Sequence, residues 1–295
     1  MPSTPDGAHR DVCHSYRVGD IGVTVIPDGY VTAPLPADFV QNASLDTVRR
    51  ALAAAGLSTQ TLTTTFAPLV LKTAGRKVLL DTGLGPDLGE RTNATHGLLT
   101  RNMRGCGIAP EDIGTVVISH FHSDHVNGLV SRQGPVFANA EIAVPDVEWR
   151  FWMDDDERTK AAPGRMQGLF ENNRRIFDRL RDRVRIYRWD EDVVPGLTAV
   201  GLPGHSIGHT GFWLRSGQDE VFVQSDLTNH AALFLPNPRW FASFDQFPEQ
   251  SVRTRLDTYE MLASKRVAVQ AYHHPFPGRC FIEKRGDGFV RIPIP

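Results

Sequence analysis

The chain has 295 residues, with 32 Lys and Arg against 34 Asp and Glu and a formal net charge of −2. This balance excludes a global affinity for nucleic acid or for anionic membranes. A chain of this length buries about three quarters of its unfolded surface and needs neither disulfides nor a structural metal to fold, so any metal site has to be explained by chemistry.

The N-terminus, MPSTPDGAHRDVCHSYR, lacks the apolar core of a secretory signal. No stretch approaches the roughly 20 apolar residues of a membrane span, and both features point to a cytoplasmic protein. Cys13, Cys106 and Cys280 are odd in number, fit no zinc spacing, and read as three reduced thiols. Tyr16 to Val18, a Gly19-Asp20 turn and Ile21 to Ile26 predict a hairpin. Ser44 is an N-cap for an Ala- and Leu-rich helix to Ala55, stopped by Gly56. Thr64 to Thr73 and Lys77 to Leu80 predict a second hairpin around Gly75, ending in the acidic, glycine-rich Asp81-Thr82-Gly83-Leu84-Gly85. A short helix over Leu98 to Arg104 follows. Thr115-Val116-Val117-Ile118 is a compact β-branched run, a buried strand that leads directly into Ser119-His120.

The segment Asp146 to Tyr187, with Trp149 and Trp152, reads as helical. Within it the basic stretch Arg174 to Arg188 has the charge pattern of an amphipathic helix with a solvated face. Strand signals return at Leu197 to Leu202, Thr210 to Leu214 and Glu220 to Gln224. Ser251 to Lys265 predicts a helix, and Val267 to Ala271 a last buried strand. With no linker-like stretch, residues 1–295 read as one α/β domain.

The densest chemistry lies in His120-Phe121-His122-Ser123-Asp124-His125, three imidazoles and a carboxylate in six residues after a buried strand. Side chains alternate in an extended stretch, so His120 and His122 point to one side. A turn after Ser123 presents Asp124 and His125 to a neighbouring point. Two imidazoles suit one borderline metal ion, and a carboxylate with an imidazole suits another. Further ligands are offered after three later strands, by His205 and His209 in Pro203-Gly204-His205-Ser206-Ile207-Gly208-His209, by Asp226 in Gln224-Ser225-Asp226, and by His273 or His274 after Tyr272. Strand alternation alone allows either member of that last pair.

These motifs together resemble the metallo-β-lactamase superfamily. HFHSDH matches its HxHxDH signature, PGHSIGHT its second histidine motif, QSD the segment of the bridging aspartate, and Asp81 in LLDTGLG its Asp-Thr-Gly loop. The resemblance implies a four-layer αβ/βα sandwich of two mixed sheets flanked by helices. It implies a first metal on His120, His122 and His205, a second on Asp124, His125 and His273, and Asp226 bridging them. Asp81 matches a position where a carboxylate orients an imidazole or a ligand loop. His209 is expected to make a structural hydrogen bond. The closing His273-His274-Pro275-Phe276-Pro277-Gly278 resembles the HxPFPG ending of the methyl parathion hydrolase-like branch. That ending places the ligand at His273 and leaves His274 as a wall or supporting residue. Quorum-quenching lactonases share the metal core, with a Tyr usually three residues after the bridging Asp, where this chain has Asn229.

The implied activity is binuclear hydrolysis of neutral, apolar esters, lactones or phosphotriesters by a metal-bridging hydroxide, with two divalent ions for which this ligand set favours zinc. Asp124 and Asp226 are also candidates for accepting or relaying a proton. The implied partner is a small-molecule substrate, with no nucleic acid and no membrane, and the family resemblance suggests a homodimer. Phe66, Phe121, Trp149, Trp152 and Phe276 are candidates for an aromatic pocket, and no Arg or Lys stands in the ligand motifs to neutralise a dianion. Two other readings use the same fold, a metal-binding protein without turnover and a di-iron redox enzyme. The intact ligand set argues against the first. The second is disfavoured by His122, which stands where the superfamily's flavodiiron oxygen reductases carry Glu.

Overall fold

A computed structural model describes residues 13–91 and 93–294; residues 1–12, which hold most of the N-terminal stretch read for a secretory signal, lie outside it. Two seven-stranded sheets dominate. The first runs, in spatial order, His14–Val18, Ile21–Val25, Leu69–Thr73, Arg76–Leu80, Ile113–Val117, Glu141–Pro145 and Val184–Tyr187. The second runs Asp192–Val194, Leu197–Gly201, Thr210–Ser216, Asp219–Val223, Ala268–Gln270, Arg279–Arg285 and Gly288–Pro293. Both are mixed: Arg76–Leu80, Ile113–Val117, Glu141–Pro145 and Val184–Tyr187 are parallel, as are Asp219–Val223 and Ala268–Gln270, whereas the hairpins are antiparallel.

The layers follow from side-chain alternation. Val78, Leu80, Val117 and Ala143 face the second sheet and meet Leu197, Phe212, Leu214 and Val223 in a shared core. Their neighbours Leu79, Val116, Ile142 and Val144 face outward, against Phe170, Ile176 and Phe177 of the helix Arg165–Phe177. The far face of the second sheet packs on Tyr259 and Leu262 of the helix Pro248–Lys265. Strands buried on both faces must be apolar at every position, which is why VVI and VLL appear as unbroken runs rather than as alternating ones.

Several elements depart from the sequence reading. Thr64 to Thr73 is not one strand: Pro68 separates Thr61–Phe66, which pairs with Gly29–Pro34 in a separate two-stranded sheet, from Leu69–Thr73. Proline cannot donate to a ladder, so the chain changes sheets there. The helical segment breaks into Asp146–Trp152, Asp155–Lys160 and Arg165–Phe177. It stops well before Tyr187, because Val184–Tyr187 is an edge strand paired with Glu141–Pro145. The basic run from Arg174 is therefore a helix end, a turn and a strand rather than one amphipathic helix. The cysteines are also corrected. Cys13 and Cys106 are joined in a disulfide across 93 residues with Cα atoms 6.4 Å apart, and Cys280 alone is a free, buried thiol. Cys13 packs against the core cluster that holds Leu99 and Met103 of the helix Leu99–Gly105, a proximity that local spacing does not encode. No helix among the described residues is long and apolar enough to cross a membrane.

Candidate metal centre

The site gathers where strands of both sheets end, at one rim of the sandwich. Ile113–Val117 leads to His120 and His122, and the turn Ser123–Val126 presents Asp124 and His125. Leu197–Gly201 precedes His205, Asp219–Val223 precedes Asp226, and Ala268–Gln270 precedes His273.

The ring nitrogens of His120, His122 and His205 converge, with His120 Nε2 3.0 Å from His122 Nδ1 and His122 Nδ1 2.8 Å from His205 Nε2. Asp124, His125, Asp226 and His273 make a second group, and each group is compact enough to hold one ion. Asp226 stands between them. Its Oδ2 lies 3.3 Å from His205 Nε2 and 2.9 Å from His273 Nε2, and its Oδ1 lies 3.2 Å from His125 Nε2. His125 Nε2 and Asp226 Oδ1 are buried with no hydrogen-bond partner among the described residues. Orphaned donor atoms at the focus of such a cluster cost free energy unless a cation takes them up.

Electrostatics divides the imidazoles. Burial, reinforced by neighbouring histidines, pushes the pKa values of His120 and His122 well down and leaves their lone pairs free. For His125, burial opposes the charged form, but Asp226, Asp81 and Asp124 outweigh it and raise the pKa well above the usual value. For His205, burial is likewise outweighed by Asp226 and Asp245, which hold the pKa at about 9.

Supporting residues fix these groups. Asp81 accepts from the Ser119 N–H and hydroxyl, both at 2.8 Å, and lies 2.9 Å from His125 Nδ1. His209 makes its expected structural bond, from Nδ1 to the Leu202 carbonyl at 2.9 Å, and its Nε2 accepts the Asp226 N–H at 3.0 Å. Burial lowers the His209 pKa to about 3, so the ring is neutral and can accept on one side while donating on the other. His273 is turned toward Asp226, with Nδ1 2.8 Å from the Thr65 carbonyl. His274 is fully buried and faces elsewhere, with Nε2 3.4 Å from Gln224 Nε2 and Nδ1 3.8 Å from Cys280 Sγ.

Three residues escaped the sequence reading. Asp245 Oδ1 lies 3.0 Å from His205 Nδ1, and its other oxygen accepts from buried Arg255. Tyr272 donates to the Asp124 carbonyl at 2.6 Å and lays its ring against His125. Glu148, fully buried, accepts from the Phe121 N–H, the Trp152 indole, the Ser206 hydroxyl and the Gly208 N–H, tying the two histidine loops together. Gly208 is required for that approach, since a Cβ there would lie 2.6 Å from the Glu148 nitrogen. Only Tyr272 sits beside a recognisable motif; the other two carry no local signal.

The metal groups open into a cavity of about 540 Å³ with Val31, Phe39, Phe66, Leu84, Leu169 and Phe244 among its walls. Of the five aromatic candidates only Phe66 lines it. Phe121 is fully buried and stacks on Phe177, because the alternation that turns its two histidine neighbours to the site turns Phe121 to the core. Trp152 is fully buried and Trp149 packs on Phe177 in that same core. Phe276 is exposed at the surface. The cavity also contains Arg165, a cation absent from the ligand motifs.

Residues 68–274 match the metallo-β-lactamase superfamily. The chain belongs to that superfamily. Among curated relatives of this superfamily member, an N-acyl homoserine lactonase of Bacillus thuringiensis is 24% identical over 143 residues, 48% of this chain and 49% of the relative. An N-acyl homoserine lactonase of Bacillus cereus is 26% identical over 191 residues, 60% of this chain and 68% of the relative. The chain thus spans about half the length of the Bacillus thuringiensis relative it matches. In fold it is similar to AidC, a dizinc quorum-quenching lactonase solved with its product N-hexanoyl-L-homoserine, with a TM-score of 0.88, 23% identity, and coverage of 97% of this chain and 99% of that one. It is also similar to the hydrolase AbOPH, with a TM-score of 0.86, 22% identity and the same coverage.

Proposed function

We propose that this protein is a binuclear zinc hydrolase of neutral, apolar lactones and esters, with phosphotriesters as further substrates, and that the whole chain works as one domain. The observation that carries the reading is Asp226 standing between two compact ligand groups at the foot of a largely apolar cavity. His120, His122 and His205 would hold one ion, Asp124, His125 and His273 the other, and Asp226 both. Two cations held there would supply Lewis acidity and a hydroxide nucleophile near neutral pH.

The chain's own groups do the positioning. Asp81 and Asp245 fix the tautomers and ring orientations of His125 and His205. His209 holds the backbone of Asp226. Asn229, at the position where the lactonases usually carry Tyr, donates its amide to Asp226 Oδ2 at 3.2 Å. The apolar walls favour uncharged acyl or alkyl groups and keep water from competing for them. The similarity to N-acyl homoserine lactonases supports lactones as the first substrates to try. Elemental analysis after reconstitution, followed by a panel of γ-lactones, p-nitrophenyl esters, paraoxon-type triesters and p-nitrophenyl phosphate, tests the reading. We expect two zinc ions per chain and a neutral lactone or ester as the best substrate. One metal or none, or a higher kcat/KM for p-nitrophenyl phosphate than for the best neutral ester, would overturn it.

A further inference from the structure

A second cavity, of about 500 Å³, lies next to the first. Its size falls within the roughly 300–1,000 Å³ of small-molecule sites. The strand Thr61–Phe66 stands between the two. Thr64 and Phe66 line the first cavity and Thr63 and Thr65 the second, because alternate side chains of a strand face opposite ways. Asn229 and His230 divide in the same manner. Of the proposed metal ligands only His273 reaches the second cavity, where the Thr65 carbonyl backs it at 2.8 Å from Nδ1.

The walls of this second space are mainly apolar, with Leu52, Leu62, Leu235 and Phe289 buried and Leu57, 46% exposed, at the rim. An apolar chain entering there would take Leu57 out of water. No Asp or Glu lines the space, but Arg291 does. Arg291 lies on the edge strand Gly288–Pro293, directly opposite Ile282 and two residues from Phe289. Ile282 and Phe289 are buried, so the register turns Arg291 to the same inner face. Among the described residues its guanidinium has no ion pair and no hydrogen bond. His230, which precedes the helix Ala231–Phe234, offers a second polar group, since its Nδ1 is buried with no partner among the described residues. That helix and the Arg291 strand flank the cavity together, joined by the Phe289 N–H donating to the Leu235 carbonyl at 2.8 Å. An unpaired guanidinium in an apolar space without carboxylates calls for an anionic acceptor on an apolar body, and one guanidinium takes one carboxylate through two parallel bonds.

We propose that the second cavity is a binding site for an alkyl monocarboxylate, with the carboxylate on Arg291, His230 as its polar neighbour, and the alkyl chain along Leu52, Leu62 and Leu235. The site is separate from the metal groups and does not depend on the hydrolase reading above.

Octanoate and 1-octanol share a chain length, but only the first carries a charge. Their binding to the zinc-loaded protein is measured by calorimetry for wild type, Arg291→Met, Arg291→Lys and Ala232→Trp, with a thermal melt of each variant to check folding. Ala232 lines the second cavity and not the first, so the indole fills the one and leaves the other open. A carboxylate also has affinity for zinc, and this variant separates the two locations. Arg291→Met should weaken octanoate roughly 10- to 100-fold, as expected on losing hydrogen bonds from a charged donor, and change 1-octanol by less than about twofold. Arg291→Lys should recover part of the loss, and Ala232→Trp should remove the same octanoate site. Octanoate binding unchanged in both Arg291→Met and Ala232→Trp would place the ligand in the first cavity and overturn the proposal. Equal weakening of octanoate and 1-octanol by Arg291→Met would make Arg291 a wall support rather than the carboxylate's partner, and a wild type that binds no octanoate would leave the cavity without this ligand; each overturns the proposal and leaves the metal reading standing. If Ala232→Trp does not fold, the contrast between the two ligands in Arg291→Met and Arg291→Lys decides.

Discussion

Replacing Glu148 with alanine should dismantle the centre from behind without touching a ligand. Four donors converge on this carboxylate at 2.6 to 2.9 Å, two from backbone nitrogens, one from a hydroxyl and one from an indole. Burial raises its pKa, while the four donors work in the opposite direction and favour the ionised form. Each donor left unpaired in the interior costs about 1–3 kcal/mol, so the set amounts to roughly 4–12 kcal/mol, and water entering the vacated space moves the loss toward about 4 kcal/mol. That is a large part of the stability of an ordinary domain. The effect has a direction as well as a size. The Phe121 N–H lies between His120 and His122, and Ser206 and Gly208 flank His205, so one carboxylate sets the spacing of all three imidazoles of the first group. Glu148→Gln keeps the shape and one acceptor oxygen but turns an amide N–H₂ toward at least one backbone N–H, and should fall between wild type and alanine. Urea unfolding of the metal-free protein, with zinc titration of each variant, measures both consequences. We expect a lowered midpoint in both variants and selective weakening of one of the two zinc sites. Glu148→Ala with wild-type unfolding and two zinc sites of unchanged affinity would refute the clamp.

Asp226→Ala should leave the fold intact but release at least one zinc and most of the turnover, since a bridging carboxylate offsets the repulsion between two cations; two retained ions with wild-type rate would exclude the bridge. His273→Ala should lose zinc from the second site together with activity, whereas His274→Ala should keep both ions, because only His273 faces Asp226; elemental analysis of the two variants with the reverse pattern would reassign the ligand. Zinc affinity should climb with pH between about 6.5 and 8.5. His205, with a pKa near 9, is protonated across that window in the metal-free protein, and zinc must displace its proton. Chelator competition should show roughly tenfold tighter binding per pH unit for each proton displaced, and a flat profile would contradict the protonation assigned to the cluster.

The candidate metal centre was legible in the sequence because its proposed ligands are local in kind. The alternation that points His120 and His122 one way is a property of the chain itself, and so is the turn that offers Asp124 and His125 beside them. The later ligands each follow a readable strand, so their convergence required only the rule that such sites gather at strand ends. The second hairpin and the long helical segment were misread for a related reason. Pro68 moves the chain to another sheet, and the strand at Val184–Tyr187 exists through its pairing with Glu141–Pro145, a partner about forty residues earlier. What only the tertiary structure decided is what stands behind and above the two ligand groups. Glu148 and Asp245 lie in a helix and a loop whose sequences have no motif, and they hold His205 or the residues around it from remote positions in the chain. Phe121 shows the complementary limit: its place between two ligands suggested the pocket, but the same period that aims its neighbours at the metals sends its ring to the opposite face, into the core against Phe177. Alternation is a local rule and fixes which side chains share a face, while the identity of what each face meets depends on contacts between distant segments.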